Sequence, residues 1–305
     1  MLLVLKGMGM GASDVVPGVS GGTIAFITGI YEELINSIKS INLYSLKLFF
    51  SGRFGKFWKD INGNFLISVL LGIAISIFSL AKLLEYLLTN YPILIWSFFF
   101  GLIVASAIYV SRSIKKWGTG PVISGVAGIA IAYFITVISP AEANASWWFI
   151  FVSGAIAICA MILPGISGSF ILVLLGMYKF ILAAVGDLNI AVLIVFLIGA
   201  AVGIITFSNI LSWLLKKFHN ITIALLAGFM VGSLNKVWPW KKVTETFTDS
   251  HGEIRPLIEQ NVLPGTYEQV TGNEAWLPGA VILALIGFSL IFIIEGLTKP
   301  KKNKV

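Results

Sequence analysis

Charge is what this chain lacks. Only 11% of its 305 residues are Asp, Glu, Lys or Arg, where a soluble globular domain carries about 25%. A water-soluble fold is excluded on that ground, and a mean hydropathy of +0.94 agrees. Cysteine is scarcer still. Cys159 stands alone, which excludes an intramolecular disulfide and any cysteine-based metal cage. The two histidines, His219 and His251, fall in polar loops and leave little material for a zinc or di-iron site. No metal, cofactor or nucleic-acid partner is implied. The N-terminal stretch has no basic n-region ahead of its apolar residues and no clear small-residue cleavage site, so it reads as part of the mature chain.

Apolar sequence is what the chain has in abundance. The runs are continuous and rich in Leu, Ile, Phe, Ala and Gly, unlike the short alternating segments of a membrane β-barrel. A run of about 20 such residues crosses the hydrocarbon as a helix. Spanning helices are expected at 65–88, 92–110 and 119–139, and again at 190–215, 221–235 and 276–297. Two further regions, 2–38 and 147–185, are apolar but interrupted in the middle by Pro17-Gly18 and Pro164-Gly165.

Basic residues set the orientation. With the 299–305 tail in the cytoplasm, counting helices backwards puts most of the 21 basic residues on that side. They include Lys216, Lys217, Arg112, Lys115, Lys116 and the 39–64 segment, which carries Lys39, Lys47, Arg53, Lys56 and Lys59. The other side, including the 236–275 loop, is rich in acids and in Trp147, Trp148, Trp238, Trp240 and Trp276. The count closes only if each interrupted region enters and leaves on one side, as a re-entrant hairpin does. Both termini are then cytoplasmic. Backbone broken at membrane depth survives only where protein buries it or water reaches it.

The interrupted regions are copies. Val15-Val-Pro-Gly-Val-Ser-Gly-Gly-Thr23 aligns with Ile162-Leu-Pro-Gly-Ile-Ser-Gly-Ser-Phe170, and Gly29 and Tyr31 with Gly176 and Tyr178. Downstream, Leu71-Gly72 aligns with Ile198-Gly199, and Phe100-Gly-Leu-Ile-Val-Ala-Ser106 with Ala227-Gly-Phe-Met-Val-Gly-Ser233. The expected fold is an all-α polytopic membrane protein of two repeats, 1–139 and 147–298. Each repeat is a re-entrant hairpin plus three transmembrane helices. Three is odd, so the repeats are inverted, and interrupted segments at matching positions of inverted repeats mark a transporter site near the midplane.

After each Pro-Gly break a new helix begins, with unpaired amides and the positive end of its dipole facing inward. Ser20, Gly21, Gly22 and Thr23 in the first copy, and Ser167, Gly168 and Ser169 in the second, suit an anion such as phosphate. The alternative is that small residues merely let helices pack closely. Intramembrane ionisable residues are functional candidates by default. Asp14 has Met161 as its counterpart and is therefore one-sided. Glu32 matches Lys179, which is a second candidate to hold an anion or to pair with Glu32. Asp14, Glu32 and Glu33 are candidates for gating or for coupling to H⁺ or Na⁺. Lys82 and Glu85 are three apart and read as a structural pair.

The stretch from Gly11 to Tyr31, together with Met161 to Phe170, resembles the prokaryotic polyprenyl-phosphate transporter family (PopT type), formerly a domain of unknown function. The resemblance covers essentially the whole chain, and the long first motif is the specific part. It implies a flippase of the bacterial cytoplasmic membrane, similar in role to DedA-type translocases. Such a protein returns undecaprenyl phosphate to the inner leaflet for cell-envelope synthesis. It also implies a polyprenyl-phosphate lipid partner held by the two motifs. Two alternatives stay open. One is an ion-coupled carrier of a small soluble anion. The other is a membrane phosphatase acting on undecaprenyl diphosphate, which would want an Arg beside the serine that neither motif has. On this reading a bulky apolar residue at Ser20 or Ser167 abolishes transport with expression nearly unchanged, while replacing Lys82 does less. Equal loss at all three would remove the support for the site.

Overall fold

A computed structural model describes residues 1–15, 20–138, 141, 144–248 and 254–298. The 2–38 region forms α1 (Leu2–Val15), α2 (Gly21–Ile27) and α3 (Tyr31–Lys39), and the basic 39–64 segment folds as α4 (Leu43–Phe50) and α5 (Phe54–Asp60). Then come α6 (Gly63–Asn90), α7 (Pro92–Ser111) and α8 (Thr119–Val137). The second half repeats that order with α9 (Trp147–Ile162), α10 (Gly168–Leu174), α11 (Tyr178–Gly186), α12 (Ile190–Lys217) and α13 (His219–Ser233). It ends with α15 (Leu277–Thr298), after a ribbon of β1 (Lys241–Thr248) and β2 (Ile254–Asn261) and the short α14 (Pro264–Thr271).

Helices α6 and α12 are each 28 residues long and free of proline, or about 42 Å. With α7 and α8 they are long and apolar enough to cross a bilayer. Pro92 sits in the first turn of α7, where its missing N–H is not needed. Helix α13 has the same length as the expected 221–235 span, 15 residues, but begins two positions earlier, at His219. His219 is therefore helical and not in a loop. Ten of the α13 residues are buried, so protein surrounds this helix and it need not match the lipid thickness. Its repeat partner α7 is also heavily buried and packs against it. Many exposed apolar side chains lie on the flanking helices. They include Leu70, Phe78, Val122, Phe134, Leu197, Val202, Ile282 and Leu285, an outward apolar surface suited to lipid and not to water.

Four parallel helix pairs build the bundle, each closed by glycines on both partners. Gly7 and Gly72 bring α1 against α6, and Gly154 and Gly199 bring α9 against α12. Gly101 and Gly287 do the same for α7 and α15, and Gly128 and Gly228 for α8 and α13. A Cβ at any of these positions would collide with a backbone carbonyl of the partner helix. Close approach of this kind is what small residues supply where lipid gives no hydrophobic drive between helices. The pairs also correspond. Gly72 and Gly101 match Gly199 and Gly228 in the sequence repeat, so α7 on α15 is the counterpart of α13 on α8. Each half lends a helix to the other.

One departure from an all-helical chain is the antiparallel ribbon, in which Lys241 pairs with Asn261 and Val243 with Glu259. It lies in the 236–275 stretch that had no assigned role. Its base is pinned to the bundle. The Trp238 Nε1 donates to Val262 O at 2.9 Å, the Trp240 Nε1 to Ala275 O at 2.8 Å, and the Asn261 amide to Asn235 O at 2.7 Å.

Substituting Gly101 or Gly228 with leucine should force the helix pairs apart at a cost of at least ~3 kcal/mol. Thermal unfolding in detergent should show a marked loss of stability. Gly55→Ala, at a helical position with open space around it, should leave stability unchanged or slightly raised.

Candidate functional site

Helix α2 starts from Ser20, whose extended backbone (φ −120°, ψ 134°) lets its hydroxyl accept from Gly22 N at 3.1 Å. The Asp14 carboxylate accepts from Gly21 N at 2.7 Å. The protein's own groups thus fill the start of this helix, satisfying amides that would otherwise be bare. Pro17 and Gly18, the expected break of this hairpin, lie outside the described residues.

The second hairpin turns through Pro164 and Gly165. Gly165 holds a left-handed backbone (φ +86°) pressed against Met230 and Ser233 of α13, so a side chain there would be both strained and blocked. Helix α10 then folds back along α9, with Gly168 against the Ala157 carbonyl. Ser167 precedes α10 in an extended conformation, and its hydroxyl lies 2.8 Å from Ser169 Oγ. The two short helices also end alike. Gly29 and Gly176 are left-handed (φ +72° and +68°), and Ile30 N and Met177 N close the turns onto Ala25 O and Leu172 O at 2.9 and 2.8 Å. After Gly176 the chain bends by 110° into α11.

The hairpins meet through polar contacts. Ser20 Oγ donates to Met161 O at 2.9 Å, Gly165 N donates to Thr23 Oγ1 at 3.1 Å, and Tyr31 OH donates to Ile162 O at 3.3 Å. Gly22 packs directly on the Ile162 carbonyl. Ser20 and Thr23 are 1% and 0% exposed. In this conformation Ser20, Gly21, Gly22 and Thr23, the expected anion site of the first motif, have protein partners. Three of these partners belong to the broken backbone of the opposite hairpin: the Met161 and Ile162 carbonyls and the Gly165 amide. A bulky residue at Ser20 would accordingly act on folding, and alanine is the informative change there.

Ser167 faces a different environment. With Gly165, Ile166 and Phe170 it forms one wall of a narrow cleft; Ala132, Ile135 and Thr136 of α8 form another, and Ser233 and Lys236 complete it. Its free volume of about 10 Å³ has room for roughly one water. Lys236 was not among the expected site residues, since its position in a loop concealed it. It follows directly on the repeat motif that ends at Ser233, and its counterpart in the first half is Tyr109, so it is one-sided as Asp14 is. The Lys236 ammonium lies 4.7 Å from the Phe170 ring centre and 3.7 Å from Glu259 Oε2. Glu259 also lies 3.3 Å from the Lys241 ammonium. Burial pulls the Lys241 ammonium down to about 8, with Glu259 opposing the shift and Lys236 adding to it.

The remaining candidates lie elsewhere. Glu32 and Glu33 are exposed in the first turn of α3. Glu32 is 3.9 Å from His219 Nδ1, and Glu33 accepts from the Asn62 amide at 3.0 Å. Lys179 is exposed on α11 and does not line the cleft. The side chain of Glu85, the expected partner of Lys82, lies outside the described residues.

A multi-pass bundle with lipid-facing apolar helices, two interrupted hairpins meeting inside it and a lysine-flanked cleft beside one tip has the build of a membrane transporter. The chain belongs to the undecaprenyl phosphate translocase-like family, whose model matches residues 10–255. It is 46% identical over 291 residues to the polyprenyl-phosphate transporter of Vibrio cholerae serotype O1, covering 95% of this chain and 94% of the relative. It is 37% identical over 254 residues to the polyprenyl-phosphate transporter of Staphylococcus aureus, covering 77% of this chain and 85% of the relative. These names describe transporters and not enzymes. No solved structure matches the chain.

Thr23→Val keeps the side-chain shape but leaves the buried Gly165 N–H without an acceptor, at a cost of about 1–3 kcal/mol. Thr23→Ser should retain most of the stability. Thermal unfolding of the two variants separates the lost hydrogen bond from lost packing.

Proposed function

We propose that this protein carries polyprenyl phosphate across the bacterial cytoplasmic membrane, returning the phosphate headgroup to the inner leaflet for cell-envelope synthesis. The observation that carries this reading is the contact between two duplicated hairpins, in a chain so closely similar to two polyprenyl-phosphate transporters. Drawing an anion through hydrocarbon is costly. A seam of hydroxyls and broken backbone inside the bundle lowers that cost for the headgroup, while the prenyl tail stays in lipid. The halves are taken as inverted copies, with both termini cytoplasmic, which puts the Ser167 cleft and the ribbon on the outer side.

In this reading the headgroup is received beside Ser167, where no carboxylate among the described residues fills the helix start, and passes between the hairpin tips as they part. Since the cleft holds about one water, the hairpin or the Lys236 side chain must move to admit a phosphate. Coupling to H⁺ or Na⁺ is assigned to Asp14. Glu32 and Glu33 sit on an exposed helix start, whereas Asp14 holds the first amide of α2 inside the hairpin.

The test is translocation of a fluorescent short-chain polyprenyl phosphate between leaflets of proteoliposomes. Wild-type protein should accelerate it, Ser167→Ala should slow it roughly tenfold, and Asp14→Asn should make the rate insensitive to an imposed ion gradient. Movement of inorganic phosphate without lipid translocation would establish the soluble-anion carrier instead. Phosphate release from the diphosphate lipid would establish an enzyme.

A further inference from the structure

The charged cluster where the ribbon meets the bundle has no part in the hairpin contact. Lys236 reaches back from the loop after α13 into the cleft shared with Ser167, Ser233 and Thr136. Lys241 opens β1, with its side chain 6% exposed and its ammonium 4.1 Å above the Trp96 ring centre on α7. A single carboxylate oxygen, Glu259 Oε2, serves both lysines, at 3.7 and 3.3 Å. Among the described residues, two ammonium groups stand against one carboxylate, one positive charge in excess. Buried charge of that kind is unfavourable until it is paired and hydrogen-bonded.

The pairing to Glu259 is also loose. Charge-assisted N–H···O bonds close to about 2.7–2.9 Å, and both distances here are longer. Glu259 is on β2, and its side chain is 21% exposed. The ribbon holds it in place through its anchored base, where the Trp238 and Trp240 indoles and Asn261 fasten the loop to the bundle. Aromatic rings back both lysines, Phe170 under Lys236 and Trp96 under Lys241. Beside this pair, the cleft at Lys236 holds about one water in this conformation.

We propose that Lys236 and Lys241 form a binding site for a phosphate monoester or free phosphate dianion, and that Glu259 is an internal placeholder which the incoming anion displaces. A phosphate dianion has oxygens enough for both ammonium groups, and the Ser167 and Ser233 hydroxyls can rotate to donate to it. The ribbon then supplies a counter-ion that keeps the two lysines compatible with burial when no substrate is bound. The proposal rests on the transport reading for the lipid identity of the ligand, but the displacement itself does not depend on the prenyl tail.

The experiment is equilibrium binding to the purified full chain in detergent, with a short-chain polyprenyl monophosphate in one arm and inorganic phosphate in the other. Glu259→Gln should tighten the lipid roughly tenfold, because the competing charge is gone. Glu259→Asp, which keeps the charge but shortens its reach, should tighten it less. Lys236→Gln should weaken binding roughly tenfold. Thermal unfolding of each unliganded variant checks that the fold persists. If wild-type protein binds the lipid and Glu259→Gln leaves its affinity unchanged or weaker, the placeholder role is overturned while the transport reading stands. If the variant tightens inorganic phosphate alone, the site belongs to a soluble anion and the lipid assignment is overturned. If wild-type protein binds no polyprenyl phosphate at all, the transport reading itself falls.

Discussion

Broken backbone inside a bilayer must find hydrogen-bond partners within the protein, and this structure is organised around that demand. Each hairpin interrupts a helix and strands carbonyls and amides that hydrocarbon cannot satisfy. The solution is mutual: Ser20, Thr23 and Tyr31 of the first hairpin bond to Met161, Gly165 and Ile162 of the second. Neither hairpin is complete without the other. Helices α7 and α13, both heavily buried, form the wall behind the contact, and the reciprocal glycines draw the bundle tight enough for the tips to touch.

The scaffold is nearly symmetric, but its chemistry is one-sided. Gly29 and Gly176 close equivalent turns, and the glycine pairs of one half reappear in the other. Asp14 fills the start of α2, however, while Met161 stands in the same place before α10. Lys236 has Tyr109 as its counterpart. One hairpin is therefore internally neutralised and the other lies beside a cation.

Much of this was legible in the sequence. Continuous apolar runs are sufficient for α6, α7, α8 and α12, and Pro164-Gly165 reads directly as a turn because no other dipeptide combines a fixed φ with a left-handed residue so readily. The first-motif residues were legible by type, but their partners were not. Ser20 and Thr23 have the hydroxyls a phosphate would use, and only the tertiary meeting of the tips reveals that backbone groups use them first. The ribbon escaped detection because its strands are polar and mixed, with Lys, Thr and Glu adjoining and a proline at position 256. Lys236 escaped for a related reason: its significance depends on Glu259, which is distant in sequence and brought close only by the ribbon.

The central claim is that the headgroup passes where the hairpin tips meet, so the tips must part. Cysteines at Ser20 and Leu163, in a chain with Cys159→Ala, allow a short bis-thiosulfonate reagent to tie the tips together in proteoliposomes. The account predicts that cross-linked protein stops translocating polyprenyl phosphate and recovers on reduction. Full-rate translocation with the cross-link quantitatively in place would contradict it.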